Sequence, residues 1–124
     1  MSFSRLASAA FLSILVASPA AAQPATQVIT LYSFGFAPRP IVLAAGRPVT
    51  LVFVNRSGSS HDFVARSFFA TSTIVGGDVM QGMVDLRGGE TRTVRLVPRA
   101  GVYRVHCSHF MHSMLGMTDR IIVN

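Results

Sequence analysis

The reading turns on one stretch near the end of the chain: Gly101-Val102-Tyr103-Arg104-Val105-His106-Cys107-Ser108-His109-Phe110-Met111-His112-Ser113-Met114-Leu115-Gly116-Met117. Its first part alternates as a strand does, with Tyr103, Val105 and Cys107 on one face and Val102, Arg104 and His106 on the other. A second strand is predicted from Thr118 to Val123, so the residues between Cys107 and Met117 form one loop joining two neighbours. Such a loop can bring a thiolate, an imidazole and a thioether to one point.

Working outward, short runs rich in Val, Ile, Phe, Thr and Tyr recur between Gly and Pro punctuation. They predict strands at Val28–Phe34, Ile41–Leu43, Val49–Asn55, Asp62–Ala65, Thr91–Val97, Val102–Cys107 and Thr118–Val123. Ser67 to Gly89 is the least regular segment and is expected to hold a short helix or a flap. No long amphipathic helix, repeat or linker is present. The expected fold is all-β, a sandwich or barrel of about seven to eight strands in a single domain.

The N-terminus reads as an address. Arg5 supplies the positive region, Leu6 to Ala17 is almost wholly apolar, and Ala20-Ala21-Ala22 offers small residues for cleavage. The apolar run is shorter than the roughly 20 residues a membrane-spanning helix needs. Residues 1–22 are therefore expected to be a cleaved signal peptide and residues 23–124 the working domain, exported to a periplasm, with no stable membrane insertion after cleavage. A free thiol in an oxidising compartment calls for a reason, and metal ligation is one.

Composition narrows the partners. Half of the residues are hydrophobic and 13% are charged, which argues against a disordered chain. A single cysteine excludes an internal disulfide and any CxxC metal site. The formal charge is +6, and every basic side chain is Arg. These arginines are scattered without interleaved aromatics, so nucleic acid is not expected. Steering of an acidic redox partner or an anionic membrane surface is compatible with the charge, but no patch can be located along the sequence.

Cys107, His112 and Met117, with a second imidazole from a distant strand, make the donor set of a type 1 copper site, where soft sulfur and imidazole accommodate both Cu(I) and Cu(II). His61 is the only His far from the loop. His109 rivals His112 but would demand a very tight turn after Cys107. His106 falls on the opposite strand face from Cys107. Met80, Met83, Met111 and Met114 are read first as gap-filling methionines and second as a Cu(I)-handling set. Phe110, Met111, Met114 and Leu115 are expected around the exposed edge of His112, where a partner would dock.

The chain resembles the cupredoxins over essentially the whole of residues 23–124. Phe36, Pro38, Ile41, Leu43, Ala45, Gly46, Val49, Leu51 and Asn55 carry the family's N-terminal run. His61 followed by Phe63 looks like its first copper His, and Gly101-Val102-Tyr103 looks like its lead into the copper Cys. The C-x4-H-x4-M spacing is similar to that of rusticyanin-type members. The resemblance implies a Greek-key β-sandwich holding one copper ion through His61, Cys107, His112 and Met117. The chain is accordingly expected to be a one-electron carrier and not an enzyme, working as a monomer with a redox partner protein. A periplasmic copper carrier, chaperone or resistance protein, meeting other copper-handling proteins, is the alternative. A Cys-His enzyme with Cys107 as nucleophile and His112 as base is a further class, without a recognisable third orienting residue or oxyanion site.

Three positions depart from the pattern. Asp62 stands where many members have Asn, Met111 precedes the loop His, and Asp119 stands where many have Gly. Asp62 could still accept a hydrogen bond from Ser108. The loop also resembles the end of a multicopper oxidase, but Ser108 replaces the His that would complete its electron bridge. With no H-x-H pair and four histidines in all, a trinuclear cluster is excluded for this chain alone.

Overall fold

The computed structural model describes residues 1, 9–18, 24–109, 112 and 114–124. The expected cleavage point after Ala22 lies outside these residues, as do Phe110 and Met111. No helix among the described residues is long and apolar enough to cross a membrane.

Among the described residues, ten strands and one short helix follow in the order β1 (Ala25–Tyr32), β2 (Gly35–Ala37), β3 (Ile41–Leu43), β4 (Val49–Asn55), β5 (His61–Val64), α1 (Arg66–Thr71), β6 (Thr73–Gly77), β7 (Met83–Leu86), β8 (Thr91–Val97), β9 (Gly101–His106) and β10 (Thr118–Val123). They form two five-stranded sheets, β2-β1-β4-β8-β6 and β3-β10-β9-β5-β7, packed face to face as a sandwich. Strand alternation builds the interior. Ile29 and Leu31, Val49, Leu51 and Phe53, and Val94 and Leu96 face inward from the first sheet; Phe63, Val84, Leu86, Tyr103, Val105, Ile121 and Val123 face them from the second. Phe63 sits against three other phenylalanines, with ring centroids 4.8 Å from Phe53, 5.5 Å from Phe36 and 6.2 Å from Phe69. Such aromatic pairs add to simple area burial.

Four of the seven expected strands carry the same bounds as observed: Ile41–Leu43, Val49–Asn55, Thr91–Val97 and Thr118–Val123. The predicted Val28–Phe34 strand differs: it turns at Ser33-Phe34 and comes back as β2, antiparallel to β1. The segment predicted to be irregular contains α1 and two further strands. β6 is an edge strand with a register shift between Ile74 and Gly76. Gly77 has φ +111, and a Cβ there would fall 2.2 Å from the Thr93 carbonyl oxygen, so only glycine fits. β7 extends β5 with the register His61↔Leu86 through Val64↔Met83.

Candidate metal centre

The two ends of the site are fastened differently. His61 opens β5, and the loop that delivers it is organised by Asn55, the last residue of β4 and 1% exposed. The Asn55 amide donates to the carbonyls of Ser59 (2.9 Å), Arg87 (2.9 Å) and Leu86 (3.2 Å), and its Oδ1 accepts from the Ser57 backbone N–H (3.0 Å) and hydroxyl (2.8 Å). One buried amide thus ties the β4–β5 loop to the β7–β8 turn. The two backbones meet closely there: a Cβ on Gly88 would lie 2.7 Å from the Gly58 carbonyl carbon.

Cys107 follows the last residue of β9 and is fully buried. Its backbone N–H donates to the Met117 carbonyl (3.1 Å), and the Met117 N–H donates to the His112 carbonyl (3.0 Å). Those bonds close the loop at its feet. Within it, the His112 N–H donates to the His109 carbonyl (3.1 Å) and the Leu115 N–H to the His112 carbonyl (3.2 Å), a pair of tight turns. Gly116, with φ +98, supplies the left-handed conformation that brings the chain back to Met117.

Between these two ends, β5 meets β9 at one register pair, Val64↔His106. Asp62 supplies the remaining connection. It is 4% exposed; one carboxylate oxygen accepts the Ser108 N–H (2.6 Å) and the other the Ser108 hydroxyl. The Asp62 backbone N–H points back to the Cys107 sulfur (3.5 Å). The expectation that Asp62 accepts from Ser108 is met, and the exchange links the residue after His61 with the residue after Cys107.

Three donors converge in this corner. His61 Nδ1 and His112 Nδ1 are 3.1 Å apart, and the Cys107 sulfur lies 3.4 Å from His112 Nδ1 and 3.9 Å from His61 Nδ1. Donors bound at about 2.0–2.3 Å to one first-row ion stand at mutual separations of this size. Without an ion, two imidazole nitrogens at this distance have to share one proton. With a cation, both lone pairs and the sulfur are satisfied together, so the donor set fits a soft-to-borderline metal. Met117 is fully buried at the foot of the same loop. The environment disfavours charge on the isolated donors: burial, reinforced by His112 and then His109, holds His61 below its ordinary 6.5, with Asp62 opposing. Burial pushes the Cys107 thiol above 9.0, against the Asp62 N–H.

The structure separates the other candidates from this group. His109 stacks on His112 (centroids 5.6 Å apart, 22° between planes), and its Nε2 lies 3.8 Å from Asp85 Oδ1. His106 is half-buried on the outer side of β9. Met80 is 75% exposed and Met114 80% exposed. Leu115 is also exposed, as expected near His112. Phe34 was not foreseen: its ring meets His112 edge-on at 5.3 Å, from a turn where it holds φ +64. Only spatial proximity reveals it, because nothing in the β1–β2 turn marks it out along the sequence.

A family model for a cupredoxin-like domain matches residues 5–123. This chain belongs to that family. The cupredoxin-like chain is similar in fold to auracyanin B, at 22% identity over 84% of this chain and 92% of that one, with a TM-score of 0.61. Auracyanin A, a blue copper protein of the photosynthetic bacterium Chloroflexus aurantiacus, shows 22% identity over 82% of this chain and 100% of its own, with a TM-score of 0.58. A multicopper oxidase from Campylobacter jejuni is also similar, at 13% identity and a TM-score of 0.61 over 86% of this chain but only 31% of that enzyme. No curated protein matches the chain in sequence. The cofactor implied for this cupredoxin-like domain is one copper ion.

Proposed function

We propose that this cupredoxin-like domain is an exported one-electron carrier that binds a single type 1 copper through His61, Cys107, His112 and Met117. Convergence of two Nδ1 atoms and one buried thiol within 3.9 Å carries the reading. Bound copper supplies a Cu(II)/Cu(I) couple, and a thioether beside imidazole and thiolate suits both states. The chain's own residues hold the donors still: His61 by the Asn55 loop, Cys107 by the Met117 and Asp62 contacts. His112, half-buried, connects this interior to the surface beside Phe34 and Leu115, where a redox partner would meet it. Residues 1–22 act as the signal peptide, and the domain works in the periplasm as a monomer.

Complete burial of Cys107 supports a metal ligand over a nucleophile, which a substrate would have to reach. The exposed thioethers of Met80 and Met114 favour a second reading, a copper carrier that passes Cu(I) on. Titrating Cu(II) into the purified protein separates the two. An intense thiolate-to-copper band that saturates at one equivalent is expected, lost in Cys107→Ser and His112→Ala and kept in His109→Ala. Weak d–d absorption alone, or rapid bleaching to colourless Cu(I), would sink the blue-copper reading and favour the copper carrier.

A further inference from the structure

The outer face of the second sheet carries a groove of about 1120 Å³, open to solvent and larger than most small-molecule cavities. Its lining includes Arg39, Arg66, Arg104 and Arg120, with His106 and a single carboxylate, Asp119. Arg104 and Arg120 lie on the floor, directly opposite each other in the β9–β10 register. Arg39, just before β3, and Arg66, at the start of α1, stand at the two flanks.

Like charges facing each other across an antiparallel pair oppose folding. No ion pair forms to any of the four among the described residues. Asp119 makes no ion pair with them, and one carboxylate leaves four guanidinium groups with a net positive charge: one of its oxygens accepts the Arg120 backbone N–H (2.8 Å), and the other is buried without a hydrogen-bond partner among the described residues. The groove is thus a concave concentration of unpaired guanidinium groups, whose forked donors match carboxylates.

We propose that this groove docks an acidic polypeptide segment of a partner protein. The shape favours a polypeptide over a bilayer, because the floor arginines lie between flanking walls that a flat lipid surface would touch first. That the occupant belongs to the electron-transfer partner rests on the carrier reading above; that an acidic segment binds does not. A segment seated there lies against His106, one residue from Cys107, and leaves the His112 surface free.

The test is binding of a fluorescein-labelled oligoglutamate peptide to the purified protein, copper-free and copper-loaded, at low and physiological salt. Binding in both forms, weakening with salt and lost by about tenfold or more in Arg104→Glu, is the expected result. Arg104→Glu places opposite charges across from each other at Arg120 and so should fold. Arg39→Glu/Arg66→Glu should weaken binding similarly from the flanks. Arg95→Glu, on the exposed face of β8 in the other sheet, changes the net charge equally and should have little effect. Four results would overturn the proposal: no peptide binding, undiminished binding in Arg104→Glu, equal loss in Arg95→Glu, or preferential binding to phosphatidylglycerol vesicles. Failure here with the visible copper band intact leaves the carrier reading standing, and the reverse result leaves the groove standing.

Discussion

The two imidazoles of the site are held in opposite ways. His61 is 1% exposed at the head of a strand, behind a loop that one buried amide binds to the β7–β8 turn. His112 is half-buried in a loop held by backbone bonds at its feet and by two tight turns, and braced by ring contacts with Phe34 and His109. The carrier role proposed above calls for both conditions, donors that do not move between oxidation states and one donor within reach of a partner. The molecule places them on different elements instead of compromising at each.

Substitutions can break that contrast, the strongest on the His61 side. Asn55→Ala leaves the buried Leu86 carbonyl, the partly buried Arg87 carbonyl and the Ser57 backbone N–H without their Asn55 partner and should destabilise the copper-free protein by about 3 kcal/mol in urea denaturation. The same change should speed copper loss, measured by transfer to a chelator. Asp62→Ala removes both bonds to Ser108 and should cost about 2 kcal/mol, with Asp62→Asn recovering part of it because its amide oxygen still accepts the Ser108 N–H. Equal losses in the two Asp62 variants would mean that the clamp adds nothing beyond side-chain volume.

Titration sharpens the contrast without any substitution. His61 is depressed below 6.5, so in the copper-free protein the unfolded chain takes up its proton first as the pH drops. Stability should therefore be present above 6.5 and fall below it. Cys107 is raised above 9.0, so at alkaline pH the unfolded chain loses its proton first, and stability should fall again as the pH rises past 9.0. Urea midpoints should peak between these limits, and Cys107→Ser should flatten the alkaline side.

On the His112 side the effects shrink. Phe34→Ala loses one edge-on ring contact and should cost about 1 kcal/mol or less, with the His112 ring exposed further to solvent in NMR exchange measurements. Met114→Ala, at an exposed loop position, should change stability by no more than about 0.5 kcal/mol. A large effect there would mean that this loop is built more tightly than its turns indicate.

The same division governs how far the sequence could be read. Strands with strict alternation or strong β-branched content, such as Val49–Asn55 and Thr91–Val97, are legible because burial on one face dictates every second residue. β6 and β7 are not, since a glycine-rich edge strand and a four-residue strand leave too short a pattern. His61, Cys107 and His112 could be picked out by residue type and spacing alone, and the structure brings them together. Phe34 and the basic groove could not, because both depend on which strands become neighbours: Arg104 and Arg120 face each other only once β9 and β10 pair.

The hydrogen bond from the Cys107 amide to the Met117 carbonyl has a further consequence. It fixes the two points from which the intervening residues depart, independently of what those residues are. A segment of another length could be spliced between the same two points while the sandwich kept its registers, provided that it kept Ser108 for Asp62 and an imidazole in the place of His112. Of the site's elements, this one is exchangeable, and by altering it a lineage could adjust the metal's properties without redesigning the scaffold.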